Sequence, residues 1–166
     1  MAGKVKKHQI ALFLNFGTAQ APKYVRIKKS TELTLNFDPQ TEDYDYIADE
    51  SPTTDLERYA PKIEGLPLTM YKGEPDFDAL WEYAYNLKTG GDSTTDMLLV
   101  YKFDEDAKAT GQWKAWKAGC AVVIKQLNAV DGTLEVDFPM RGTILRGTVK
   151  QGTDDAPTFT PAGGSI

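Results

Sequence analysis

From Thr133 onward the chain alternates. Leu134, Val136, Phe138 and Met140 fall on one face of an extended strand, and Thr133, Glu135 and Asp137 on the other. Upstream, Ala121 to Ile124 is apolar without a break, which predicts a stretch buried on both sides. Between them lies Asp131-Gly132, a dipeptide that favours a tight hairpin turn. A strict two-residue loop would set Ile124 against Pro139, which has no N–H to give a ladder. A longer loop or a bulge is therefore expected, with Pro139 at an edge or at the bulge.

The rest of the chain must extend and cover this sheet. Ile10–Phe16 and Tyr24–Ile27 predict short strands, and Met1–Gln9 ahead of them is polar and unpatterned. Thr31–Phe37 alternates, with Leu33, Leu35 and Phe37 on one face and Glu32, Thr34 and Asn36 on the other. Asp38-Pro39 breaks it. If Glu42–Glu50 is extended, Asp43, Asp45 and Asp49 share a face with Ile47, opposite Tyr44, Tyr46 and Ala48. Residues 38–65 read as a long loop, of which Ser51–Leu66 shows little periodicity and holds Pro52, Pro61 and Gly65. Leu66–Tyr71 and Thr95–Phe103 predict further strands. One helix is expected, Asp76–Lys88, with Phe77, Leu80, Trp81, Ala84 and Leu87 as its apolar stripe, Pro75 in its first turn and Gly90-Gly91 as its stop. Trp81 and Leu80 are expected in the core. The picture is one mainly β domain over residues 1–150, followed by an extended tail, 151–166, rich in Gly, Pro and Thr.

Composition adds bounds. A chain of 166 residues holds a sizeable core. No apolar run approaches the ~20 residues of a membrane span, so no membrane insertion of its own is expected. The single Cys120 excludes an internal disulfide framework and reads as a small buried hydrophobe. Charge is strongly segregated. Residues 1–30 carry seven Lys or Arg and no acid, whereas residues 31–60 carry nine acids and only Arg58. Three readings are open: a basic arm for nucleic acid, two complementary partners within or between copies, or unpatterned surface charge. Under the second, Lys4, Lys6, Lys7, Arg26 and Lys28 meet Asp43, Asp45 and Asp49, with Arg58 and Tyr59 at the same contacts.

Catalytic and metal chemistry finds little to work with, and no enzyme, metal or cofactor is expected. His8 is the only histidine, and Cys120 has no partner for zinc. Asp43-x-Asp45 opens like a calcium loop but lacks the glycine at six and the glutamate at twelve. Gly17-Thr18 with Lys23 lacks the Gly-Lys-Ser/Thr end of a phosphate loop, and no Gly-x-Ser-x-Gly elbow occurs. Trp113 and Trp116 could stack on sugars, as in a carbohydrate-binding β-sandwich, or could pack in a core or an interface.

Several stretches taken in order resemble the major tail tube proteins of long-tailed bacteriophages. They are Glu32-Leu33-Thr34-Leu35-Asn36-Phe37-Asp38-Pro39 followed by Tyr46-Ile47-Ala48-Asp49-Glu50, the excursion through Tyr59 to Gly65, Tyr71-Lys72-Gly73-Glu74-Pro75 leading into the aromatic helix, and the closing Gly142-Thr143-Ile144-Leu145-Arg146-Gly147-Thr148-Val149. The likeness covers roughly residues 9–150. Met140-Arg141-Gly142 stands where the family more often has Gly-Asp-Pro. The resemblance implies a β-sandwich or barrel flanked by one helix, in hexameric rings whose inner sheets join into one barrel and stack into a tube. It implies as partners further copies of itself, a tape-measure protein, tail-tip and tail-terminator proteins, and double-stranded DNA in transit without sequence-specific binding. The place would be the virion tail tube, with assembly in the host cytoplasm. Contractile-tail, tailocin and type VI secretion tubes share the architecture. A lumen that passes DNA should repel it, and the polar strand faces Glu32, Thr34 and Asn36, and Glu135 and Asp137, are the candidates to line it.

Overall fold

The computed structural model describes residues 2–18, 20–108, 110–151 and 157–162. It is mainly β, with eleven strands and one α-helix among these residues. The strands are β1 (Ile10–Asn15), β2 (Tyr24–Arg26), β3 (Leu35–Asn36), β4 (Pro39–Tyr44), β5 (Thr53–Tyr59), β6 (Lys62–Thr69), β7 (Thr94–Glu105), β8 (Gln112–Ala121), β9 (Val123–Asn128), β10 (Thr133–Gln151) and β11 (Pro157–Pro161); the helix α1 is Pro75–Tyr85.

The alternating run identified from sequence is the start of β10, the strand shared by both halves of the fold. Its first half pairs with β6 and β9, and its second half pairs with β8 and β11. The main path runs β2-β1-β7-β8-β10-β6-β3, all antiparallel. Register shifts near Val136/Phe138 and Arg141/Leu145 bracket the place where β10 changes partners. Such shifts bend a strand and raise its twist, which lets one strand serve two sheets. Pro139 sits in that bracket, paired with Lys62 on one side and beyond the last β9 pair, Asp137 with Val123, on the other. The missing N–H therefore falls where one partner has already ended. The β9–β10 hairpin is wider than two residues, with Asn128 opposite Thr133 and a further shift that sets Ile124 against Val136.

The main core lies between the two sheets and α1. Leu12, Leu14, Met97, Leu99 and Cys120 come from one sheet; Ile63, Leu66, Leu68, Leu134, Val136 and Phe138 from the other; Leu80 comes from the helix. A smaller cluster on the far face of the first sheet joins Ala11, Phe13, Leu98, Val100, Ala115 and Val149 under Tyr24, Trp113 and Phe159. Strands β1 and β7 are thus buried on both faces, which accounts for the unbroken runs Ile10–Leu14 and Met97–Val100. Sequence placed this two-sided burial at Ala121–Ile124 instead. There the chain passes from β8 to β9 at Val122, clasped by Ser93 through two hydrogen bonds, and Val123 is 39% exposed.

Helix α1 begins with Pro75 at its first turn and ends earlier than expected. Leu87, with φ of 47°, takes the left-handed position that ends the helix, so Gly90-Gly91 is not the stop but opens a short 3-10 turn, Gly90–Ser93. Leu80 is buried, but Trp81 is 39% exposed; the stripe is narrower than its apolar composition. Asp76 is buried at the helix start and accepts N–H bonds from Lys28 and Phe77, pinning the residues after β2 to the helix. Thr31–Phe37 is a strand only at Leu35–Asn36, with a single bridge from Ser30 to Leu68. The expected long loop, 38–65, is instead strand: β4 and β5 form a hairpin, and β6 has begun by Lys62. In the tail, Pro157–Pro161 forms β11 against β10, and the remainder of the expected extended segment lies outside the described residues.

Candidate assembly surfaces

The β4–β5 hairpin is a separate two-stranded sheet that pairs with no other strand among the described residues. Every residue of β5 is exposed, including Leu56 at 49% and Tyr59 at 56%. At its base Ala60 donates its N–H to the carbonyls of Phe37 and Asp38. Local hydrogen bonds hold its side chains: Tyr44 donates to Glu57, and Thr54 to Asp43. The bond to the Glu57 carboxylate pushes the Tyr44 phenol above its ordinary range. Glu42 stands directly opposite Asp55 in the ladder. The connection between the strands presents Asp45, Asp49 and Glu50, all exposed, around Tyr46 and the fully exposed Ile47. Of the expected contact residues, the structure thus gathers Asp43, Asp45, Asp49, Arg58 and Tyr59 on one projection.

The basic residues collect elsewhere. Lys7, Arg26 and Lys28, with His8 and Glu32, rim a cleft of about 300 Å³ floored by Ile10, Leu12, Ile27, Leu33 and Leu66. It forms because the 3-10 turn Lys7–Gln9 leads into β1, while the chain leaving β2 crosses back beside it; Arg26 donates to the His8 carbonyl. Lys4 and Lys6 lie on the exposed segment ahead of this turn. Among the described residues, no carboxylate lies within ion-pair distance of Lys4, Lys6, Lys7, Arg26 or Lys28, and no cation within that distance of the hairpin acids.

The polar candidates for a lumen separate into two places. Glu135 and Asp137 share the outer face of β10, and Asn36 joins them by donating to Glu64 on β6. The Asp137 carboxylate accepts the Gly65 N–H at 2.7 Å and lies 3.8 Å from the Lys125 ammonium. Gly65 has φ of 64°, which suits glycine, and this bulge lets Asp137 reach across the ladder. Lys62 pairs with Glu64 at 3.6 Å. The bond from Asn36, and then the Lys62 charge, hold the Glu64 carboxyl below its usual range. The face is therefore a mixed lattice, with carboxylates Glu64, Glu135 and Asp137 beside Lys62 and Lys125. Thr34 touches its margin through its carbonyl, which accepts the Glu64 N–H. Glu32 is not part of it and stands in the wall of the basic cleft. Sequence reasoning missed Lys62, Glu64 and Lys125; the spacing Lys62-Ile63-Glu64 carried the signal, but the bulge at Gly65 broke the alternation that would have extended it.

Trp113 and Trp116 lie on opposite faces of β8. Trp113 covers the smaller cluster, and Trp116 packs edge-on against Phe37 and Tyr101 at 6.0 and 5.6 Å. Trp116 also lines a trough with Phe37, Tyr59, Pro61, Ile144 and Arg146 below the hairpin base.

No protein-family model matches the chain, and no curated protein matches it. Among solved structures, the chain is similar to a chain in the six-fold symmetrised cryo-EM structure of the anti-feeding prophage baseplate. The TM-score is 0.46 and the identity 9%, over 88% of this chain and 97% of that one. At that level the likeness carries no functional argument.

Proposed function

We propose that this chain is a structural subunit of a bacteriophage tail tube, whose copies close into hexameric rings and stack into a conduit for DNA. The observation that carries the reading is a pair of oppositely charged surfaces on one chain, an acidic hairpin that stands off the sheets and a basic cleft, whose acids and cations form no ion pairs among the described residues. Two different, complementary patches on one molecule make head-to-tail contacts, and repeated head-to-tail contacts generate rings or filaments. The mainly β fold with one helix and the ordered sequence stretches that resemble tail tube proteins support the same reading. Free strand edges at β3 and β9 give neighbouring copies a place to join sheets. No catalytic role is assigned. Partners on this reading are further copies, tape-measure, tail-tip and terminator proteins, and DNA in transit; the place is the virion tail. The tube of a contractile tail or a secretion system remains the alternative assembly.

A carbohydrate-binding module is disfavoured because Trp113 and Trp116 face opposite ways and cannot form one stacking platform. Sedimentation velocity at rising concentration, run beside a glycan-binding screen, separates the two classes. Growth into large species without glycan binding is the expected result. A monomer at every concentration that binds glycans would overturn the proposal.

On this reading the face bearing Glu135 and Asp137 is the candidate lining. DNA carries one charge per ~1.7 Å of axis, and a wall whose two lysines, Lys62 and Lys125, are paired with its own carboxylates gives it little to adhere to. Replacing Glu135 with Lys, and leaving Asp137 to hold the Gly65 bulge, should leave tubes that form but deliver the genome slowly. Unchanged delivery from assembled tails would remove this face from the lumen.

A further inference from the structure

We infer that the tip of the β4–β5 hairpin, led by Ile47, seats in the basic cleft of a second copy of this chain. The inference rests on the self-assembly reading above and adds which surface receives the hairpin.

The hairpin is incomplete as a folded unit. An isolated two-stranded ribbon is at best marginally stable in water. This one also sets Glu42 directly against Asp55, and like charges in that position repel. From Pro39 to Tyr59 it carries seven acids and one base, Arg58. A cationic partner relieves this repulsion, and none lies within ion-pair distance of those acids among the described residues.

The tip and the cleft have inverse chemistry. The tip is an apolar plug, Ile47 at 106% and Tyr46 at 55% exposure, ringed by Asp45, Asp49 and Glu50. The cleft is an apolar floor, Ile10, Leu12, Ile27, Leu33 and Leu66, rimmed by Lys7, Arg26 and Lys28. A phosphate backbone would find the rim, but it has no apolar group to place on that floor. An acidic peptide with one aliphatic side chain uses both parts. The same logic explains why Ile47 is tolerated in the open: it is covered once a neighbour arrives.

The test uses the full chain. In one variant, Ile47→Cys and Thr31→Cys place thiols at the tip and on the cleft rim, which Thr31, exposed beside Glu32, also lines. Cys120 is buried and does not compete. Oxidation should link copies into a ladder on a non-reducing gel, while Ile47→Cys with Val130→Cys, a residue exposed elsewhere, should not. In a second variant, Lys7→Glu, Arg26→Glu and Lys28→Glu should weaken self-association by about tenfold or more. Adding Asp45→Lys, Asp49→Lys and Glu50→Lys in the same chain should restore it. Wild-type assembly with no specific cross-link and no charge rescue overturns the inference and leaves the tube reading standing. Specific cross-links in a protein that never forms rings or tubes support the contact and overturn the tube reading. Neither assembly nor cross-link overturns both.

Discussion

Leu80 and Trp81 are neighbours on α1 with opposite surroundings. Leu80 is fully buried in the main core, whereas Trp81 is 39% exposed between the rings of Phe77 and Tyr85. Leu80→Ala should therefore cost about 2–5 kcal/mol in urea unfolding, through lost burial and the cavity left behind. Trp81→Ala should cost clearly less, about 1–2 kcal/mol, because the 3–5 typical of large aromatic truncations in cores requires full burial. The reverse order would place Trp81 in the core. A second residue-scale expectation concerns alkaline pH. Burial, and then the charge of Asp96, push the Cys120 thiol up to about 12, and burial raises the phenols of Tyr101, Tyr83 and Tyr24. These groups lose protons earlier in the unfolded chain than in the folded one. Stability should thus be complete below about pH 8.5 and fall as pH rises above it. Native Cys120 should resist thiol reagents at pH 8, and rapid modification there would contradict its burial.

At the scale of elements, the hairpin is the part whose removal separates fold from assembly. Replacing residues 39–59 by a short Gly-Ser linker should leave the unfolding midpoint of the sandwich within a few degrees, since among the described residues β4 and β5 pair only with each other. The same variant should fail to make long tubes. Normal tubes would exclude the hairpin from the contacts, and collapse of the fold would mean that it supports the sheets. This element also marks how far sequence could go. The strands that bury side chains were legible because burial selects apolar residues: on both faces of β1 and β7, giving the unbroken runs Ile10–Leu14 and Met97–Val100, and on one face of the first half of β10, giving every second residue from Leu134 to Phe138. Strand β5 buries nothing, so Thr53–Tyr59 has no period to read and looked like loop. The helix was legible in type but not in extent, because its end depends on Leu87 taking a left-handed backbone that its residue type does not announce. The polar stripe was half legible: Glu135 and Asp137 came from alternation, but Glu32 did not join them, because its segment leaves the sheet after one bridge at Ser30.

For the whole molecule, the account is that segregated charge directs copies to one another, while apolar and main-chain contacts hold them. The two surfaces are exposed, and their attraction is screened over roughly 8–10 Å at moderate salt. Raising ionic strength should therefore slow assembly more than it dissolves finished assemblies, which light scattering after a salt jump in either direction would resolve. The most direct measurement is electron microscopy of the concentrated, purified protein. The account expects six-fold rings and stacked tubes with an open central channel of constant width. Particles that stay single subunits at every concentration, or aggregate without a channel, would contradict it.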